Sequence, residues 1–207
     1  MSSGYKFTTR EELDTAVDLW ISNQNSAIIT YGEINTWDVS GIADFSRLFG
    51  GTWDNPSNFN SDISNWDVSS GTNFRAMFYG ADAFNQDIGS WDVSSGTDFT
   101  RMFNNASAFN KDIGSWDVSN VTRVRGWFNN CRTFNEDLSN WNTTSLGSIS
   151  DEGNGLFSSC YIFNNGGSPG ISGWDVSNWT NSQGVNNMFQ SCGAFNQPLD
   201  EIGRAHV

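Results

Sequence analysis

The chain has 207 residues, enough for one domain, with 23 acidic residues against 10 lysines and arginines and a formal charge of −13. That balance excludes nucleic acid and an anionic membrane as electrostatically attracted partners. With 16% charged and 14% aromatic residues the composition is that of an ordered chain, and no apolar run is long enough to span a bilayer.

In chain order, residues 1–8 read as a short polar lead. It lacks the apolar core of a signal peptide and a lipobox cysteine, which favours a component that reaches the outside without Sec-dependent export. Thr9 to Glu12 has the form of a capping box, and Leu13, Ala16, Val17, Trp20 and Ile21 follow at helical spacing. Residues 1–30 are therefore expected to be a lead and an N-terminal helical cap, residues 31–199 six stacked coils, and residues 200–207 a tail.

The coils come from an internal repeat. Trp37, Trp66, Trp91, Trp116, Trp141 and Trp174 recur at spacings of 29, 25, 25, 25 and 33 residues. A Phe column follows at Phe49, Phe78, Phe103, Phe128, Phe157 and Phe189, and Phe-Asn pairs close the units at Phe59-Asn60, Phe84-Asn85, Phe109-Asn110, Phe134-Asn135, Phe163-Asn164 and Phe195-Asn196. One such unit cannot bury its apolar face alone and must stack on its neighbours. In each unit, Trp91 and Val93 alternate around Asp92 with the period of a strand. Phe99, Met102, Phe103 and Ala106 then fall at i, i+3, i+4 and i+7, one face of a short helix with Thr97 as its cap. Each coil is thus expected to be a strand, a turn, a short helix and a return. Insertions fall between Phe49 and Phe59, between Trp141 and Trp174, and between Trp174 and Phe189.

The repeated run Ile-x-x-Trp-Asp-Val-Ser-x-x-Thr-x-Phe-x-x-Met-Phe-x-x-Ala-x-x-Phe-Asn-x-Asp resembles the BspA-like leucine-rich-repeat surface proteins, across roughly residues 31–199. These carry the bacterial surface lipoprotein repeat of about this length, with similar arrays in phage and viral proteins. The resemblance implies an α/β repeat solenoid, with a parallel strand and a short helix per coil. It also implies attachment or structural work at a surface, without enzymatic activity.

Several columns are candidates for function. Asp38, Asp67, Asp92, Asp117 and Asp175 follow the Trp and are expected to point outward from a strand face. Asp62, Asp87, Asp112 and Asp137 form a second file four residues ahead of the Trp column. Neighbouring carboxylates repel, so the files need hydrogen bonds from turn N–H groups or a bound Ca²⁺ ion, of which the turn bonds are the expected solution. Arg47, Arg75, Arg101 and Arg125 collect on the expected helices, making that face more mixed in charge. Trp53 and Trp179 stand outside the Trp column, in or near insertions, as candidate exposed anchors on loops. Cys131, Cys160 and Cys192 share one column with Ala81 and Ala106 and read as free, buried thiols. His206 is the only histidine, and no catalytic or zinc-binding spacing is present.

The expected function is that of a non-catalytic structural or binding module on a virion exterior, as a capsid decoration or a fibre or receptor contact. The alternative is a bacterial cell-surface adhesin or lipoprotein module binding a host protein or glycan. A third reading is an ice- or crystal-binding solenoid built on the hydroxyl file Ser40, Ser69, Ser94, Ser119 and Ser177. Expected partners are a protein or glycan at a virion or cell surface, with no nucleic acid and no membrane insertion. A second copy or a further chain is expected over the C-terminal edge.

Overall fold

The computed structural model describes residues 4–52, 55–147, 155–168, 171–175 and 187–197. Two helices open the chain, α1 over Arg10–Ser22 and α2 over Gln24–Tyr31. The capping box starts α1: the Thr9 side chain accepts from the Glu12 N–H, and the Glu12 carboxylate accepts from the Thr9 N–H. Leu13, Ala16, Val17 and Trp20 are buried, whereas Ile21, expected on the same stripe, is 55% exposed. The helix is seated on the first repeat through Trp20, whose indole packs edge-on to Trp37 and donates to Ser61 Oγ at 2.9 Å. The lead is less polar in structure than in sequence. Phe7 is fully buried, and its backbone pairs with Asp38 alongside the first repeat, N–H to carbonyl at 2.9 Å.

The expected strand and helix in each coil are not formed, so the α/β leucine-rich-repeat-like solenoid is corrected. Among the described residues there is no β-strand, only isolated parallel bridges such as Asn73 to Asp98 and Asp98 to Arg123. Among the described residues after α2, helix is limited to three-residue 3-10 turns at Ile34–Thr36, Asn165–Gly167 and Ile171–Gly173. The apolar spacing of three that suggested other elements is the spacing of closed turns. Trp91 donates its N–H to Ile88, Gly96 to Val93, Met102 to Phe99, Ala106 to Phe103 and Phe109 to Ala106, each three residues back.

A helix cannot propagate through the Phe segment because left-handed residues stand on both sides of the column Phe. Two before the column Phe stand Arg47, Ala76, Arg101 and Gly126, with φ of 58°, 54°, 58° and 57°; two after it stand Gly80, Asn105, Asn130, Ser159 and Ser191, with φ of 64°, 63°, 60°, 62° and 61°. Each left-handed non-glycine residue costs roughly 1–2 kcal/mol. The return is a ladder between repeats. Phe74, Ala76, Phe78 and Gly80 donate their N–H groups to Asp98, Thr100, Met102 and Asn104 of the next repeat at 2.8–2.9 Å. The carbonyls of the same peptide units, on Asn73, Arg75, Met77 and Tyr79, accept from Phe45, Arg47, Phe49 and Gly51 of the preceding repeat. All four peptides therefore point the same way along the stack, carbonyl toward the N-terminal end and N–H toward the C-terminal end. Thr97, expected as a helix cap, instead donates from both N–H and hydroxyl to the Thr72 carbonyl of the repeat before it.

The core lies between the turns. Phe78 stacks on Phe103 at 5.4 Å and Phe103 on Phe128 at 5.7 Å, while Phe84, Phe109 and Phe134 form a second column at 5.9 Å steps. The two columns touch within each repeat, as at Phe103 and Phe109, 4.0 Å apart. Each column Trp is buried, and from Trp66 on its indole N–H reaches back one repeat, as from Trp91 to the Ile63 carbonyl at 3.2 Å, Trp116 to Ile88 at 3.1 Å and Trp141 to Ile113 at 3.0 Å. The Phe-Asn pairs add an amide file, in which Asn60, Asn85 and Asn110 accept through Oδ1 from the N–H of Asn85, Asn110 and Asn135. Apolar burial and backbone satisfaction are thus both achieved between repeats, which is why one unit has no fold of its own.

Candidate binding groove

The carboxylate file behind the Trp column belongs to the turns. Asp92 Oδ1 accepts from the N–H and hydroxyl of Ser94 at 3.0 and 2.6 Å, and the same two bonds join Asp38 to Ser40 and Asp67 to Ser69. These hydrogen bonds, and those of Ser119 at Asp117, hold the carboxyls of Asp38, Asp92 and Asp117 below the usual range, with Lys6 adding to the effect at Asp38. Asp117 is opposed by the charge of Asp92 one repeat away. Asp67, Asp92, Asp117 and Asp175 are exposed and Asp38 is half-buried, but they flank turns rather than strands.

The second file is used in the same way. Asp62, Asp87, Asp112 and Asp137 accept through Oδ1 from the N–H two residues on, at 2.9–3.1 Å. Asp137 also accepts from the Ser168 hydroxyl, the largest cause of its lowered pKa. Among the described residues no three acidic, cysteine or histidine side chains are grouped as a metal site. Trp53 and Trp179 lie outside the described residues, so the structure does not bring the two candidate anchors into view.

The cysteine column is present as free, buried thiols, each donating to a carbonyl of the previous repeat: Cys131 to Phe103, Cys160 to Phe128 and Cys192 to Phe157, at 2.8–2.9 Å. Burial pushes the thiols up, that of Cys192 to about 11. A thiol held neutral is not a nucleophile at physiological pH.

The more concave surface lies on the ladder face, where the sequence was read as helices. Three adjoining cavities of about 180, 230 and 540 Å³ share Tyr79 in their linings. Arg101 links the smallest to the largest, and Asn105, Asn130 and Arg132 link the intermediate one to the largest. The groove is polar and follows the stack. Arg47 and Arg75 are exposed and Arg101 half-buried, and among the described residues none of the three makes an ion pair. The groove amides are bonded to one another within and across repeats: Asn130 Nδ2 to Asn105 Oδ1 at 2.6 Å, Asn105 Nδ2 to its neighbour Asn104 Oδ1 at 2.7 Å and Asn104 Nδ2 to Asn129 Oδ1 at 3.4 Å. The sequence signal for this face was Gly80, Asn105 and Asn130 at the second position after Phe78, Phe103 and Phe128, residue types best able to adopt left-handed backbone.

No curated protein and no solved structure matches the chain. A family described as "Mycoplasma protein of unknown function, DUF285" matches residues 18–141 and 112–207, two overlapping stretches that together cover most of the sequence. The chain therefore belongs to the DUF285 family, a BspA-like repeat family in the general sense.

Proposed function

We propose that the protein is a non-catalytic binding module displayed on a surface. The observation that carries this reading is the division of labour among its side chains. The Phe, Trp and Cys columns and the Asn and Asp files all serve stacking or turns, whereas the ladder-face groove also holds Arg75 and Arg101, which have no ion-pair partner among the described residues. A rigid stack with an ordered polar groove suits recognition, since loops and grooves on a stiff scaffold bind without being reshaped.

The leading place for such a module is the virion exterior, as a capsid decoration or receptor contact. The family description, a Mycoplasma protein, supports a second reading, a module on a bacterial cell surface. Immunogold labelling of intact particles and intact cells of the source, with a membrane-impermeant antibody, separates the two. External gold on particles supports the first and external gold on cells the second. Label that is reached only after lysis in both overturns surface display.

A further inference from the structure

We propose that the ladder-face groove binds an acidic polysaccharide, laid along the stack with its anionic groups on the file Arg47, Arg75 and Arg101 and on Arg132 beside it, and its sugar rings against Tyr79 and Tyr161. The proposal rests on the surface-binding reading and names the ligand class of that module.

Charge is the first argument. Six of the chain's ten basic residues, Arg47, Arg75, Arg101, Arg123, Arg125 and Arg132, fall on the ladder segments or just beyond them, in a protein of net charge −13. Arg123 faces Asp98 at 3.7 Å, but Arg47, Arg75, Arg101 and Arg132 have no carboxylate partner among the described residues. The acid in the groove lining is Asp82, which accepts from the Ser107 hydroxyl at 3.1 Å. A guanidinium fork fits a carboxylate or a sulfate in two-point contact.

Periodicity is the second. Arg47, Arg75 and Arg101 occupy neighbouring positions on successive repeats, above Phe columns that advance 5.5 Å and then 5.4 Å per repeat. A file of like charges at a regular step matches a polymer that carries a charge on each repeating unit better than a folded protein surface.

The rest of the lining is the third. Asn104, Asn105, Asn129, Asn130 and Gln190 offer amides, which both donate to and accept from hydroxyls. The hydrogen bonds among the four asparagines hold them in place before a ligand arrives, which lowers the entropy lost on binding. Tyr161 is 50% exposed and Tyr79 half-buried, giving two ring faces with polar tips. The cavity lining holds no aliphatic pocket for the side-chain anchors that drive peptide binding. A single-stranded nucleic acid also offers charge and rings, but its successive bases call for an aromatic platform at each step, and the groove lining supplies the rings of Tyr79 and Tyr161 alone.

The test is calorimetric titration of the full chain with alginate oligomers (carboxylate), heparin oligomers (sulfate), neutral dextran oligomers and poly(U). Binding of alginate or heparin that weakens with salt, with none of dextran, is expected, and the preferred arm tells carboxylate from sulfate. The double variant Arg101→Gln/Arg132→Gln should lose at least about tenfold in affinity at an unchanged melting temperature. Tyr161→Ala should lose several-fold, and the Asp92→Asn/Asp117→Asn control should not lose affinity. Equal affinity of wild type and the arginine variant, no binding of either acidic glycan, or a preference for poly(U) overturns the proposal. External labelling that persists alongside any of these leaves surface display standing and removes the glycan groove. Glycan binding by a chain that is never found on a surface does the reverse.

Discussion

Arg10 and Asp44 meet twice: the guanidinium donates to the Asp44 main-chain carbonyl at 2.8 Å and lies 3.5 Å from its carboxylate. The same side chain donates to the Ser46 carbonyl at 2.7 Å and to Asp14 at 2.8 Å. Asp44 and Ser46 hold the ladder positions that Asn73 and Arg75 hold one repeat on, where those carbonyls accept from Phe45 and Arg47. Because every ladder peptide points its carbonyl toward the N-terminal end, the ladder carbonyls of the first repeat, Asp44 and Ser46 among them, have no preceding repeat to accept from. Arg10 takes that neighbour's place, and this is how α1 caps the stack.

Replacing Arg10 with Ala should cost about 1.5–3 kcal/mol, the value of charge-assisted hydrogen bonds. It should also bare an edge able to pair with another chain. A lower melting temperature together with concentration-dependent association in sedimentation is the expected result. A monomer of unchanged stability would show that the carbonyls do not need Arg10.

Gly80 distinguishes the ladder from the helix that the sequence suggested. Its φ is 64°, and a Cβ there would meet nothing closer than 3.7 Å, so only backbone strain opposes a side chain. Gly80→Ala should cost roughly 1–2 kcal/mol in the left-handed conformation. In a helix interior the same change would stabilise by about 1 kcal/mol. The sign of the shift in denaturation midpoint decides between them.

Phe103 is fully buried between Phe78, Phe109 and Phe128. Phe103→Ala should cost about 3–5 kcal/mol. The loss should spread to the flanking repeats, because each is stabilised chiefly by its neighbours. Hydrogen exchange should show faster opening on both sides of the site, and a change confined to one repeat would contradict stacking as the source of stability.

The thiol of Cys192 is held neutral by burial, with its pKa raised from 9.0 to about 11. A neutral thiol in the fold and a thiolate in the unfolded chain favour unfolding at high pH. The stabilising effect is therefore complete below pH 9.0 and is lost as pH rises toward about 11. Cys192→Ala should flatten that part of the stability profile. In the native protein Cys192, 9% exposed, should react with a thiol reagent ahead of Cys131 and Cys160, both fully buried.

The repeat, its length, the buried Trp and Phe columns, the Asn file, the α1 cap and the free thiols were all legible in the sequence. They depend on residue type and spacing, which stacking merely repeats. The secondary structure was not legible, because a spacing of three or four apolar residues belongs to a helix and also to consecutive closed turns. What separates them is where each N–H goes, to a residue of its own coil or to the next coil, and that is a property of the stack. The left-handed positions at Arg47, Ala76 and Arg101 show this most directly: no local preference places arginine or alanine there, and only the hydrogen bonds between repeats hold them. The groove has the same origin. Tyr79, Arg101 and Asn130 are dispersed in sequence, and they share one surface because the ladder sets successive repeats in register.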